Sequence, residues 1–467
     1  MADQNSDVVH EAAAKYRLST RGAVNFAAEN FWAPIEQALD NPWTPENPAG
    51  TTSIVMRLAE NSLMHHDVAE YIKEQLGVDR TQHLTYGRGP RGSPRLRKAV
   101  ASFFNNEFGA KQPVKYEEIL VMSGATSIID ALVWSICNEG DGILIPQPFY
   151  TGYQIDINQR ARGEVIPVPF HGIEGYSSLD DVFTPDVLRR ALERQLKSAK
   201  ERGVRAAAVV LTNPHNPLGR CYPEDTIVET ARFCASNDLH LISNEIYAKS
   251  VFDAKRDPPL PAFTSILSLD LKCVIDANLV HVVYGASKDF CANGLRLGVL
   301  QTRNLGVLEC VASLGPFSWT PYIVQDIWAR MLEDSCFRAR FFEKNYQLVE
   351  ESYAFATEFL EKHDIPYYRG SNAGSFLWID LRKYILGSAD IRLLRRGEAG
   401  SALFEEREAV LDRTLLRRGV SLSRGSIFFT EELGWFRLTF TLAKEELTQG
   451  LERLASALVE IRGCAWD

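Results

Sequence analysis

Six short, largely apolar runs set the limits on what this chain can become: Ile119-Leu-Val-Met, Gly142-Ile-Leu-Ile, Ala206-Ala-Ala-Val-Val-Leu, Leu239-His-Leu-Ile, Leu279-Val-His-Val-Val and Leu297-Gly-Val-Leu. A strand with one wet face alternates apolar and polar residues. A run that is apolar throughout reads as a strand buried on both faces. Helical patterns, such as 126–137 and 223–237, lie between the runs. Strands alternating with helices build a mainly parallel sheet covered on both sides, so residues 60–320 are expected to form a layered α/β domain. From 321 to 363 the pattern is long, helical and charged, and is expected to lead into a smaller lobe. There Phe376-Leu-Trp-Ile-Asp, Gly419-Val-Ser-Leu and Trp435-Phe-Arg-Leu-Thr-Phe read as strands of an α+β domain within 321–467. Residues 41–48 read as a Pro-rich loop and residues 1–20 as a mobile arm.

Composition excludes several functions. The 467 residues are 45% apolar and 24% charged, as in ordinary soluble proteins. A net charge of −9 without a basic block leaves no electrostatic footprint for nucleic acid. No apolar run approaches the roughly 20 residues that span a bilayer. The polar, acidic start is unlike a signal peptide. Eight cysteines without C-x-x-C spacing read as reduced thiols, not a disulfide frame or a metal site. A cytoplasmic location is expected.

The chemistry centres on Tyr284-Gly-Ala-Ser-Lys-Asp-Phe-Cys-Ala-Asn-Gly-Leu-Arg296. Lys288 follows a buried strand, between Ser287 and Arg296. Its amine suits a Schiff base with the aldehyde of pyridoxal 5′-phosphate, and the hydroxyl and guanidinium suit the phosphate. Ser123-Gly-Ala-Thr126 opens a helix, whose amides bind phosphate or merely sit behind a Thr cap. Asn213-Pro-His-Asn-Pro-Leu-Gly219 places Asn216 at a strand end, where open α/β sheets hold ligands. Asn244-Glu-Ile-Tyr247 ends the next strand; its residues face the crevice or cap a following helix. Tyr86, in Tyr86-Gly-Arg-Gly-Pro-Arg-Gly, could meet a phosphate or belong to a solvated loop. Tyr150 could stack on a flat ring or pack in the core. Arg437, between aromatics, could fork onto a carboxylate or form a structural ion pair.

Together these segments, in order from about Leu58 to Thr441, resemble the aspartate-aminotransferase superfamily of fold-type I pyridoxal phosphate enzymes. The match is closest to 1-aminocyclopropane-1-carboxylate synthase and the fungal-type synthase-like enzymes. The resemblance implies a seven-stranded, mainly parallel sheet in the large domain (60–320). It also implies a small-domain segment within residues 1–59, and a homodimer with shared active sites. Lys288 then corresponds to the Schiff-base lysine and α-proton base. Ala125, Thr126, Ser287 and Arg296 correspond to the phosphate cup, and Tyr86 to a tyrosine reaching the neighbouring subunit's phosphate. Tyr150 corresponds to the stacking aromatic, Asn216 and Tyr247 to the pair on the phenolic oxygen. Arg437 corresponds to the α-carboxylate arginine and Glu60 to a glutamate of substrate recognition.

Two positions depart from the pattern. Gly285 replaces a common phosphate-binding serine, which removes one hydroxyl contact. Asn244 replaces the aspartate whose charge keeps the pyridine nitrogen protonated. Without that charge the ring is a poorer electron sink, which handicaps amino-group exchange more than loss of a β- or γ-leaving group. The expected activity is therefore that of a lyase on an amino acid, either synthase-like on S-adenosylmethionine or a C–S lyase on a cysteine conjugate. An aminotransferase and a catalytically impaired pyridoxal-phosphate-binding protein are the rival expectations.

Overall fold

The computed structural model describes residues 2–28, 32–47, 52–252, 259–386, 395–396 and 401–462. In chain order its strands are β1 (Ile54–Val55), β2 (Ile119–Met122), β3 (Gly142–Pro146), β4 (Glu164–Val168), β5 (Ala206–Thr212) and β6 (His240–Asn244). They continue with β7 (Val280–Gly285), β8 (Gly298–Thr302), β9 (Phe376–Asp380), β10 (Val420–Ser421), β11 (Ser423–Arg424) and β12 (Trp435–Thr439). Seven of them form one sheet in the order β2-β8-β7-β6-β5-β3-β4. Only β8 runs against its neighbours. A seven-stranded, mainly parallel sheet is what the resemblance implies, and the structure has it.

Alternate residues of the central strands feed two separate cores. Val209, Leu211, Leu241 and Val282 pack on one face. Ala208, Val210, Ile242 and Val283 pack on the other. Both faces are dry, which is why these strands read as largely apolar runs. The expected helices form at Ala125–Ile136 and Glu224–Ser236. The long helical stretch is two helices, Tyr322–Glu333 and Ser335–Lys362. They break at Asp334, whose carboxylate caps the second by accepting from Phe337 N at 2.8 Å.

The smaller lobe holds a three-stranded antiparallel sheet, β11-β12-β9, and a parallel pair, β1-β10. Leu377, Ile379, Phe436 and Leu438 pack there against Leu411, Leu415, Leu451 and Leu454 of two helices, Ser401–Arg417 and Lys444–Arg462.

The chain's beginning is helical, with the helices Ala2–Tyr16 and Thr20–Ala27. The cause is local. Glu-Ala-Ala-Ala-Lys at 11–15 strongly favours a helix. Ser19 Oγ caps the second helix, accepting from Gly22 N at 3.2 Å. Residue 41–47 is turn and bridge; Pro48, like Met1, lies outside the described residues. Among the described residues no helix is long and apolar enough to cross a membrane.

Candidate active site

Strands β5, β6 and β7 end side by side at Thr212, Asn244 and Gly285. The residues that follow line one crevice, where an open α/β sheet holds its ligand. Lys288 lies just beyond β7, and its Nζ donates to Ala59 O at 2.6 Å. Burial, then the nearby Arg437 charge, pushes its ammonium down to about 8, against a partial pull from Glu60. The amine is thus available uncharged at mildly alkaline pH, as a nucleophile or base must be. Ala59 comes from a segment stitched to the smaller lobe. Thr439 N donates to Met56 O at 2.9 Å, and Thr439 Oγ1 to Leu58 O at 2.6 Å.

One end of the crevice is built from backbone. No side chain caps the helix Ala125–Ile136, so the amides of its first turn stand open to an anion. Gly124 precedes it at φ +95°, and a Cβ there would collide with the Arg296 guanidinium. A Cβ on Gly298 would lie 2.5 Å from Gly124 C and 2.7 Å from Ala125 N. Arg296 is itself left-handed (φ 52°) and donates to Asn293 O at 2.7 Å. Thr126 is exposed at the helix's second position and does not cap it; Ala125 and Ser287 are half-buried. At Gly285 a Cβ would stand 2.5 Å from Leu297 O. The glycine lets β7 lie close on β8, and there is no room for a serine as the backbone stands.

The other end is built from side chains. Asn244 Nδ2 donates to Tyr153 Oη at 2.8 Å, and Tyr153 Oη lies 2.6 Å from Thr212 Oγ1. Asn244 Oδ1 is buried with no partner. Tyr150 meets Tyr153 edge-on at 5.5 Å, and Gly152 leaves space for its ring. Tyr247 is buried, and its ring meets Phe376 edge-on at 5.5 Å. Burial raises its phenol well above the ordinary range. Turn rather than helix directly follows Asn244, so neither residue caps a helix there.

Arg437 lies on β12 with its guanidinium 5.0 Å from the Phe376 ring and 4.8 Å from that of Phe428. It donates to Asn216 Oδ1 at 3.0 Å and Arg57 O at 2.6 Å, while its buried Nε lacks a partner. The pairing turns the Asn216 oxygen away and leaves its Nδ2 to donate. Glu60 accepts from Asn293 Nδ2. Tyr86 stands apart, 84% exposed, its ring 5.7 Å from Trp319. Its loop is held by Tyr322 Oη, which accepts from Arg88 N at 3.1 Å and donates to Gly89 O at 2.9 Å.

Several residues escape the motif reading: Tyr153, Thr212, Asn293, Glu245 and Asp289. The last two had a signal, since each is a carboxylate beside a site residue at a buried strand's end and so needs partners. Glu245 accepts from Ser243 Oγ, Ser265 Oγ and Ile266 N at 2.6–2.9 Å. Asp289 accepts from Lys249 N, Ser250 Oγ and Tyr284 Oη at 2.7–2.9 Å. Burial lifts both to about 7 despite these bonds. They brace the turns that carry Asn244 and Lys288.

These features fit pyridoxal phosphate. An uncapped helix start under two glycines that admit no Cβ, with an arginine over it, suits the phosphate. An orphaned buried acceptor suits the ring nitrogen, and an enclosed lysine amine the aldehyde. Comparison with known proteins agrees. The pattern of the family "Aminotransferase class I and II" matches residues 53–454. The mouse "Probable inactive 1-aminocyclopropane-1-carboxylate synthase-like protein 2" is 30% identical over 454 residues, 96% of this chain and 73% of that one. "1-aminocyclopropane-1-carboxylate synthase 1" of Cucurbita pepo is 31% identical over 415 residues, 86% of this chain and 78% of that one. Aspartate aminotransferase from Thermus thermophilus superposes with a TM-score of 0.70 at 21% identity, covering 94% of this chain and 99% of that one.

Proposed function

The chain belongs to the class I and II aminotransferase family, and within it we propose a lyase that expels a group from the β- or γ-carbon of an amino-acid substrate. Its cofactor is pyridoxal 5′-phosphate. When bound, that cofactor links to an amine and draws electron density from a bond breaking at the substrate α-carbon. In this reading Ala125, Thr126, Ser287 and Arg296 hold the phosphate, Tyr150 lies on the ring, and Asn216 and Tyr247 hold the phenolic oxygen. Arg437, gripped by two aromatic rings with Nε unpaired, takes the substrate α-carboxylate. Lys288 Nζ removes the α-proton, its basicity tuned by burial. Glu60 meets the far end of the substrate.

The observation that carries the reading is Asn244: a neutral side chain, buried, with its oxygen unpaired, at the position this reading gives to the ring nitrogen. A neutral partner stabilises carbanion charge less than an aspartate does. A departing β- or γ-group drains that charge and so tolerates the weaker sink. Exchange of the amino group with a keto acid does not have that outlet. The exposed Tyr86, with Leu84 and Phe317 also 70% and 85% exposed, supports a homodimer in which Tyr86 serves the other subunit's site. A cytoplasmic location belongs to the same reading.

The test is to load the protein with pyridoxal phosphate, add S-adenosylmethionine, and look for methylthioadenosine by mass spectrometry. Its release at a catalytic rate establishes γ-elimination. Without it, synthase chemistry fails and cysteine conjugates follow, scored by pyruvate and ammonia. Turnover only with a keto acid would make the protein an aminotransferase, as the family's name suggests. A second reading, an impaired cofactor-binding protein, is favoured by Asn244 and by the mouse relative's printed name. It predicts bound cofactor and no turnover with any of these substrates.

A further inference from the structure

Asn244 is not simply a missing charge, because an amide has two unlike ends. A carboxylate offers an acceptor whichever way it turns. An amide offers an acceptor or a donor, and something must choose between them. The chooser is visible. Tyr153, fully buried, accepts from Asn244 Nδ2 at 2.8 Å. Its own proton then has Thr212 Oγ1, 2.6 Å away, as an acceptor within reach. Thr212 is the cross-strand partner of Asn244, so the two strands themselves set the spacing of this three-member chain. With Nδ2 occupied, Oδ1 is the end left over, and it is buried without a partner. A buried orphan acceptor at a ligand site calls for a donor from the ligand.

We propose that Tyr153, braced by Thr212, is a positioning residue that turns the Asn244 carbonyl oxygen toward the cofactor's ring nitrogen and so holds that nitrogen as N–H by a neutral hydrogen bond. The inference rests on pyridoxal phosphate lying with its ring nitrogen at Asn244, as proposed above. It gives the site an intermediate character, since the nitrogen keeps its proton without the full help of an anion.

The test uses the full-length protein loaded with pyridoxal phosphate carrying nitrogen-15 in the ring, read by NMR and needing no turnover. The wild-type signal is expected at the protonated position. In Tyr153→Phe the amide is released, and the signal should shift toward the unprotonated position. In Thr212→Val the phenol's proton turns to Asn244 Oδ1 and flips the amide, so the shift has the same direction. Asn244→Asp removes the need for orientation: its signal should be protonated, and adding Tyr153→Phe should leave it there. A wild-type signal at the unprotonated position would overturn the proposal. So would a signal that stays in place in both Tyr153→Phe and Thr212→Val, or one that shifts equally in the aspartate background. Should Tyr153→Phe fail to fold, Thr212→Val alone decides. Failure to bind the labelled cofactor at all would instead overturn the cofactor reading, and this proposal with it.

Discussion

The two ends of the crevice are made from different materials. The end proposed for the phosphate is largely backbone, with the Arg296 side chain over it: an uncapped helix start, Gly124 at φ +95°, and Gly298 pressed so close that a Cβ would lie 2.5 Å from Gly124 C. The end proposed for the ring nitrogen is three side chains, Asn244, Tyr153 and Thr212, from two strands and a separate helix. At Gly124 and Gly298 there is little room for variation, because a Cβ would strike the Arg296 guanidinium or the Gly124–Ala125 backbone. A side-chain chain can be retuned by single substitutions that leave the fold alone. In the proposed reading, the contrast separates a general capacity to hold the cofactor from the place where its chemistry is adjusted.

Lys288 stands between the two ends, and its loss should be the largest effect. Lys288→Ala should lower turnover by about 10³-fold or more, measured as kcat with whichever substrate the protein accepts. A smaller loss would mean that neither end works through this amine. The pH dependence sharpens the point. With the ammonium held at about 8, cofactor uptake by the empty protein should speed up as pH rises and level off above about 8. Stopped-flow absorbance would follow it. In the unfolded chain the lysine keeps its proton up to its ordinary 10.5, so between about 8 and 10.5 the unfolded state binds more protons. Stability of the empty protein should therefore rise with pH across that window, relative to Lys288→Met.

Arg296→Ala should come next, and only at the phosphate end. Losing a charged hydrogen-bond donor of about 1.5–3 kcal/mol weakens cofactor affinity about 10- to 100-fold, read by equilibrium dialysis. The nitrogen-15 signature of the ring should stay put. If it moved as well, the two ends would be one coupled unit and the comparison would collapse.

The same contrast governs what could be read from the sequence. Lys288, Asn216 and Arg437 sit in recognisable local segments, and the structure places Arg437 against Asn216 and its charge near Lys288. Tyr153 carries no such sign. Its meaning depends on Asn244, 91 residues later, and the pairing exists only once β5 and β6 are in register. Elements follow the same logic. Strands dry on both faces announce themselves as apolar runs. The edge strand β4 holds Glu164 and Pro167, pairs only with β3 and is partly exposed, so its pattern is diluted. Tyr86 is legible as a motif, but its proposed target lies on another subunit, and nothing within one chain completes it.

Asn244→Asp tests the ring end alone. A charged acceptor in place of a neutral one adds about 1–1.5 kcal/mol, so half-transamination with a keto acid should quicken about tenfold. Cofactor affinity at the phosphate end should barely change. Equal, slow half-transamination in both proteins would mean that the amide is not what restrains amino-group exchange, and the functional contrast between the two ends would lose its basis.

The smallest effect on cofactor affinity is expected at Gly285, and its sign is the informative part. By the family's pattern, Gly285→Ser should restore a hydroxyl to the phosphate, a gain of about 0.5–1.5 kcal/mol. Here a Cβ would stand 2.5 Å from Leu297 O and 3.2 Å from Gly298 Cα, both backbone atoms of the adjoining strand. Backbone cannot swing aside as a side-chain tip can, and overpacking of this kind costs about 1–3 kcal/mol. The cost exceeds the gain, so Gly285→Ser should lower Tm and leave cofactor affinity unimproved. Paired measurements of Tm and dissociation constant separate the two terms. A variant that binds tighter without losing stability would show that β7 and β8 can part, and that the phosphate end is as adjustable as the ring end. An unimproved affinity with a lower Tm would show that the glycine is the condition for the strands' close approach, and that this cup was refitted around it.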